Sequence, residues 1–332
     1  MECWAGTVQY SSAPTLHHSN GLPMPETELA NALKLIAGLR VKPDEPLARY
    51  TSMKIGGPAD YFIETESDAA LRQLLPLLDR HRVSVCLLGN GSNVLVSDRG
   101  VRGAVLHLAG DFKRVAWRAD EAGVTADVGA ACVVTQLARE AARQGYTGLE
   151  FAEGIPGTMG GALVMNAGAY GSEFEKVVEQ VEGVSSQGAA LCFSRAQMNF
   201  SYRDSHLPKG MVVTRVRLRL GQDEAARVSS KLRELVTRRK SSQPSGHPNS
   251  GSMFRNPPGD FAGRLIEAAG LKGARIGQAQ ISERHANFIV NLGGAKADEV
   301  RQLMDLARVQ VKQRFGVELM SEVKYLGDWP ER

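Results

Sequence analysis

Between Glu26 and Leu39 the apolar residues Leu29, Leu33 and Ile36 return at the spacing of a helix face, and Gly38 supplies a stop. The period recurs behind a Ser67 cap, where Leu71, Leu74, Leu75 and Leu78 share a face and Pro76 threatens the last turns. It recurs over Val134–Arg143, around Phe261–Ala269, and over Ala225–Lys240 with Val228, Leu232, Leu235 and Val236 inward. A last helix is predicted over Asp298–Phe315, striped by Val300, Leu303, Met304, Ala307, Val311 and Phe315. Asp298 and Glu299 suit the dipole in its first turn, and Gly316 suits its C-terminal stop.

Short apolar runs between turn residues predict strands at Val83–Leu88, Val94–Ser97, Val105–Leu108, Val124–Val128, Val177–Val184, Ala190–Phe193, Met211–Leu220 and Ala286–Asn291. In Met211–Leu220, Arg215, Arg217 and Arg219 alternate with Val216, Leu218 and Leu220, which gives one buried face and one basic, solvated face. Tyr50–Ile63, broken by Gly56-Gly57-Pro58, predicts strand, turn, strand, and the preceding VKPDEP reads as a polar connector. Residues 1–25 lack periodicity and read as a mobile tail.

Composition narrows the class. A chain of 332 residues with 43% hydrophobic and 23% charged residues can bury a large core in two or three domains. The net charge of +4, from 40 basic and 36 acidic residues, is too small to imply nucleic acid. Cys3, Cys86, Cys132 and Cys192 form no C-x-x-C pair, so zinc and a dense disulfide framework are not expected; Cys86 and Cys132 read as small buried hydrophobes. No metal site is predicted. No apolar run approaches the roughly 20 residues of a membrane span, and the N-terminus lacks a signal-peptide pattern. A cytoplasmic protein is expected.

Glycine carries the first candidate chemistry. In GLEFAEGIPGTMGGALVMNAGAYG (148–171), Gly154, Gly157, Gly160, Gly161 and Gly168 stand among apolar residues, which suggests a folded loop rather than a linker. Its backbone N–H groups can converge on an anion such as a pyrophosphate; a set of tight turns packed under a sheet explains the pattern equally well. A second glycine turn, GNGSN (89–93), sits between two strands. Gly89-x-Gly91-x-x-Val94 lacks the third glycine and the following helix of a dinucleotide fingerprint, and no G-x-x-x-x-G-K-[ST] loop occurs.

Three further clusters are SYRDS (201–205), NSGSMFRNP (249–257) and the C-terminal segment with Glu318 and Glu322. Each also has an ordinary reading. Arg203 and Asp204 suit a local ion pair at a turn, Ser252 a bond to its own turn, Glu322 a solvated edge, and His285 a packed histidine.

Taken in order, TSMKIGGPADYF, LGNGSNVLVSDRG, GLEFAEGIPGTMGGALVMNAGAYG, YRDS, SGSMFRNP, AGRLIEAAGLKGARIGQAQISERHANFIVN and GVELMSEVKYLG closely resemble the UDP-N-acetylenolpyruvoylglucosamine reductase family. The resemblance spans about Arg49 to Gly327 and looks like the shorter of that family's two subclasses. It implies an α+β fold: a two-part FAD-binding region of the vanillyl-alcohol-oxidase type, then a smaller α/β substrate-binding domain. The expected divisions are a tail at 1–25, flavin subdomains at 26–110 and 111–222, and a substrate domain at 223–332.

The resemblance further implies non-covalent FAD, NADPH as hydride donor, and UDP-N-acetylglucosamine enolpyruvate as substrate, reduced to UDP-N-acetylmuramate for peptidoglycan synthesis. Expected cofactor contacts are Thr51, Ser52, Met53, Lys54, Gly89, Asn90, Gly91, Ser92, Asn93, Gly154, Ile155, Pro156, Gly157, Gly161, Asn166 and Gly168. The matching catalytic positions are Ser252 as proton donor, Arg203 as the group that polarises the carboxylate, and Glu322 as the residue orienting it. Tyr202 and Asn256 are expected substrate contacts, and Arg238, Arg239 and Lys240 either attract the UDP diphosphate or form a solvated helix end. A monomer is expected. The alternatives are another FAD-dependent oxidoreductase of this fold, which has no reason to keep YRDS, GSMFRNP and EVK together, and a non-redox nucleotide-binding regulatory protein.

Overall fold

The computed structural model describes residues 26–330, so the tail expected over residues 1–25 lies outside the described residues. A first sheet runs in the order Leu39–Pro46, Pro58–Thr65, Val101–Leu108, Val85–Leu87. Helix Asp68–Arg80 buries Leu71, Leu74, Leu75 and Leu78 and continues through Pro76; Ser67 Oγ caps it by accepting from Ala70 N at 3.3 Å. Leu39–Pro46 is a strand, not the connector its prolines suggested. It lies at a sheet edge, where Pro43 and Pro46 need no outward ladder partner and the charged side chains meet water. The first half of Tyr50–Ile63 is not a strand either. Leu47–Tyr50 forms a 3-10 turn, and Met53 and Ile55 drop into the C-terminal core instead of pairing.

A second, antiparallel sheet follows the order Ala190–Ser194, Val178–Val184, Val212–Gln222, Gly123–Gly129, Val115–Asp120, with Tyr146–Thr147 paired to the far end of the long strand. On the outer face of Val212–Gln222, Arg215 meets Glu182 at 3.3 Å, Arg217 meets Asp127 at 2.7 Å and Arg219 meets Asp120 at 3.1 Å. The basic face is solvated as expected, and each arginine on it has an acidic neighbour. Helices Val134–Arg143 and Ala225–Ser242 pack beside this sheet; Val228 and Leu232 join its core.

The C-terminal part packs helices Ala262–Ala268 and Ala297–Phe315 against a small sheet of Arg275–Ile276, Ala279–Ile281 and Ile289–Asn291. Gly316 ends the long helix in the left-handed conformation (φ 69°). Asp98 caps the start of that helix from the first part of the chain, accepting from Ala297 N at 2.9 Å and Asp298 N at 3.1 Å. The chain then returns: Lys324–Leu326 adds in parallel to Val94–Val96. This return brings Glu322 next to a loop more than 200 residues earlier. Among the described residues, no helix is long and apolar enough to cross a membrane, and no group of three His, Cys, Asp or Glu side chains could hold a metal ion.

Candidate active site

The two glycine stretches face each other. Ser92 Oγ donates to Pro156 O at 3.0 Å, tying the 89–93 loop to the 154–168 stretch. A Cβ on Gly89 would stand 2.5 Å from Thr158 Oγ1, and one on Gly157, at φ +123°, 2.9 Å from Ser92 Oγ. The missing side chains leave room for Thr158 Oγ1 and Ser92 Oγ to close onto the facing loops. Between the loops opens a cleft of about 270 Å³, which Arg203, Arg239, Ser250, Ser252 and Glu322 also line. Behind Gly89 and Gly161 lies a small apolar cavity of about 60 Å³ walled by Leu87, Leu108, Ala130, Leu207, Met211 and Val213.

Most expected cofactor positions line this cleft: Gly89 through Asn93, Ile155, Pro156, Gly157, Gly161 and Gly168. Others do not. Thr51, Ser52, Met53 and Lys54 lie outside the lining and brace the loop from behind; Ser52 N and Oγ donate to Gly91 O at 3.1 and 3.2 Å, and Met53 is buried in the C-terminal core. Gly154 serves as clearance: its absent Cβ would lie 2.4 Å from Arg239 Cδ. Asn166 points away from the cleft and is fully buried, its amide bonded to Glu175 N and Ser201 O.

The catalytic candidates converge although sequence separates them widely. Arg203 Nε donates to Glu322 Oε1 at 2.8 Å, and both side chains are mostly buried, 19% and 15% exposed. The local pair with Asp204 does not form; Asp204 Oδ1 instead accepts from His206 N at 2.8 Å. Arg203 sits at φ 61° in a tight turn and lies over the Tyr202 ring, 4.9 Å from its centroid. Ser252 is held on a short backbone rung. It bridges Phe288, and the next residue, Met253, receives Glu322 N at 2.8 Å on its carbonyl. Asn287 braces that rung by accepting from Phe254 N at 2.9 Å and donating to Phe254 O at 2.8 Å. Asn93 Nδ2 donates to the main-chain carbonyl of Glu322 at 3.2 Å, so the glycine loop anchors the backbone that carries this carboxylate. Glu318 lies outside the cleft, exposed and 3.6 Å from Lys312.

Tyr202 and Asn256, expected to touch substrate, do not line the cleft. Tyr202 is 51% exposed beneath Arg203, and Asn256 Oδ1 accepts from Ala262 N at 3.1 Å at the start of a helix. His285 is a packed histidine: it lies edge-on to Phe288, and burial lowers its pKa. The triple Arg238-Arg239-Lys240 divides. Arg238 lies over the Tyr170 ring, while Arg239 reaches the cleft, where burial lowers its pKa against the opposing pull of Tyr170 and Glu153. Thr158 and Ser250 stand inside candidate stretches of the sequence without being singled out there. Thr158 lines both cavities, and the Ser250 hydroxyl is buried with no protein partner. Its neighbours in NSGSMFRNP were the only signal for Ser250; none marked Thr158.

Facing glycine loops, an apolar pocket behind them and the Arg203–Glu322 ion pair beside Ser252 in front agree with the comparisons that place this protein in the class of FAD-dependent oxidoreductases. Residues 59–193 match the FAD binding domain model, and residues 243–326 match the model for the UDP-N-acetylenolpyruvoylglucosamine reductase C-terminal domain. The UDP-N-acetylenolpyruvoylglucosamine reductase 2 of Symbiobacterium thermophilum is 47% identical over 292 residues, 88% of this chain and 94% of that protein. The Myxococcus xanthus reductase is 44% identical over 92% of this chain and 98% of its own length. The crystal structure of the Thermus caldophilus reductase superposes with a TM-score of 0.75 at 39% identity, covering 87% of this chain and 99% of that one. The chain belongs to the UDP-N-acetylenolpyruvoylglucosamine reductase family, and its α+β architecture with an FAD-binding region is the one the sequence resemblance implied.

The residues present fit FAD. The loops offer a lining without Cβ atoms at Gly89, Gly91 and Gly157, suited to a diphosphate. The apolar side chains behind the loops suit contact with an aromatic ring, and the Ser250 hydroxyl lacks a protein partner.

Proposed function

We propose that this enzyme reduces the enolpyruvyl ether of UDP-N-acetylglucosamine enolpyruvate to UDP-N-acetylmuramate, with NADPH as reductant, in cytoplasmic peptidoglycan synthesis. The observation that carries this reading is the Arg203–Glu322 ion pair beside Ser252 in the cleft between the glycine loops. Backbone N–H groups of Gly89–Asn93 and Ile155–Gly157 would hold the FAD diphosphate. FAD bound there would supply hydride transfer between NADPH and the terminal carbon of the enolpyruvyl group.

This chain's residues manage the charge that results. As the C–H bond forms at the terminal carbon, negative charge develops on the neighbouring carbon and its carboxylate. Arg203 has Nε held by Glu322, which would leave its terminal N–H groups to donate to that carboxylate. Glu322 fixes the guanidinium through a charge-assisted bond in a mostly buried setting. Ser252 Oγ–H then delivers a proton to the charged carbon, completing the addition of hydride and proton across the double bond. A serine is a weak acid, so this transfer depends on fixed geometry, which the Phe288 and Met253 backbone contacts provide. Arg239, half-buried at the cleft wall, supports electrostatic attraction of a phosphorylated ligand.

The same reading divides the chain near residue 110 into two flavin subdomains, and it moves the start of the substrate domain from 223 to after helix Ala225–Ser242, because Val228 and Leu232 of that helix pack into the core of the second sheet. The test is anaerobic. The yellow holoenzyme is mixed with NADPH until the flavin band bleaches, and then the enolpyruvyl UDP-sugar is added. Return of the flavin absorbance with formation of the muramate supports the proposal. A flavin-loaded enzyme that bleaches but stays bleached refutes it, and a colourless protein unable to take up FAD refutes the whole class.

A further inference from the structure

Helix Met159–Val164 ends in a defined cap. Asn166 N donates to Leu163 O and Ala167 N to Ala162 O, both at 2.8 Å, with Asn166 at φ 38°. Asparagine is the residue after glycine that accepts this left-handed position. The cap turns the Asn166 side chain away from the cleft and into the protein, where it is fully buried. There Oδ1 accepts from Glu175 N at 3.0 Å and Nδ2 donates to Ser201 O at 3.2 Å.

Ser201 opens the tight turn that carries Arg203. Ser201 N donates to Asp204 O at 2.9 Å and Asp204 N to Ser201 O at 3.1 Å, closing a two-residue tip with Arg203 at φ 61°. Arginine has no preference for a left-handed backbone, so the surroundings must impose it. The far end of the turn is fastened as well: Ser205, also buried, donates through Oγ to Val164 O at 3.2 Å. Both ends of the Arg203 turn are therefore bolted to the last turn of the helix whose first turn lines the cofactor cleft. Removing one member of such a buried, fully satisfied network loosens the rest.

We propose that Asn166 is a positioning residue for Arg203. It acts through the Ser201 carbonyl and touches no ligand. The proposal rests on the carboxylate-polarising role of Arg203 given above. Asn166→Asp keeps an acceptor for Glu175 N but loses the donor to Ser201 O, so it unfastens the turn selectively. In the flavin-loaded enzyme it is expected to leave the rate of flavin reduction by NADPH unchanged and to slow reoxidation by the enolpyruvyl UDP-sugar about 10- to 100-fold. That is less than the roughly 10²- to 10³-fold expected when the charge-stabilising group is removed in Arg203→Ala.

The decisive measurement is the double variant. If Asn166 works through Arg203, Asn166→Asp adds nothing to the defect of Arg203→Ala, although each alone is slow. Ser205→Ala, which removes the second fastening, serves the same cycle if Asn166→Asp does not fold, and it is expected to show the same non-additivity. Parental reoxidation rates in either fastening variant, or defects that multiply with Arg203→Ala, overturn the positioning role. A parental rate in Arg203→Ala itself refutes the role of Arg203, and with it this inference.

Discussion

Gly161 gives a test in which structure and ligand binding pull in opposite directions. It lies inside helix Met159–Val164, and a Cβ there would meet nothing nearer than Thr158 Oγ1 at 3.6 Å, an ordinary contact. As far as the protein alone is concerned, alanine is the better residue. Gly161→Ala removes the helix penalty of glycine, about 1 kcal/mol at most, which raises the apoprotein melting temperature by about 2 °C. Yet Gly161 lines both the cleft and the apolar chamber. A methyl group there occupies space the cofactor needs. Overfilling a packed contact costs about 1–3 kcal/mol, so FAD should bind roughly 5- to 150-fold more weakly. Gly160→Ala is the contrast, since its Cβ would press to 3.1 Å from Ala130 Cβ and should lower the apoprotein melting temperature. Thermal melts of apoprotein and FAD titration by quenching of flavin fluorescence read both effects. A Gly161→Ala apoprotein that melts below the parent refutes the packing argument, and one that binds FAD as tightly refutes the assignment of this glycine to the cofactor.

Ser252→Ala is expected to permit flavin reduction by NADPH and to block reoxidation by the enolpyruvyl UDP-sugar; stopped-flow absorbance separates the two, and loss of both in a flavin-loaded variant argues against the proton-donor role. Arg203→Lys keeps the charge but loses the Nε bond to Glu322, and should slow reoxidation on the order of 10²-fold, with parental turnover as the refuting result. Stability should fall with acid through His107 and His285, both held below the usual value of 6.5 by burial. Below pH 6.5 the unfolded chain takes up protons that the folded histidines refuse, so the urea midpoint drops between pH 7 and 5, and His107→Gln with His285→Gln flattens that slope. A slope unchanged in the double variant assigns the acid sensitivity elsewhere.

Periodicity and turn chemistry determined much of the framework. Helix Val134–Arg143, the alternating strand around Val212–Gln222 and the Gly316 stop are local consequences of side-chain spacing and backbone freedom, so a single stretch carries enough information. The motif resemblance named the family and the trio Arg203, Ser252 and Glu322. Local reasoning failed where neighbours from elsewhere set the outcome. The prolines of Leu39–Pro46 are tolerated because that strand is an edge, and an edge is a property of the sheet. Asn166 resembled a cofactor contact because it stands in the glycine stretch, but a left-handed helix cap turns its amide toward Ser201. Sequence distinguished neither Arg239 from its basic neighbours nor the partner of Arg203, whose nearest acid in the chain is Asp204. The return of Lys324–Leu326 to Val94–Val96 settled that choice. Hydrogen-bond ladders between distant segments bring charges together, and the identity of a residue does not state which ladder its backbone will join.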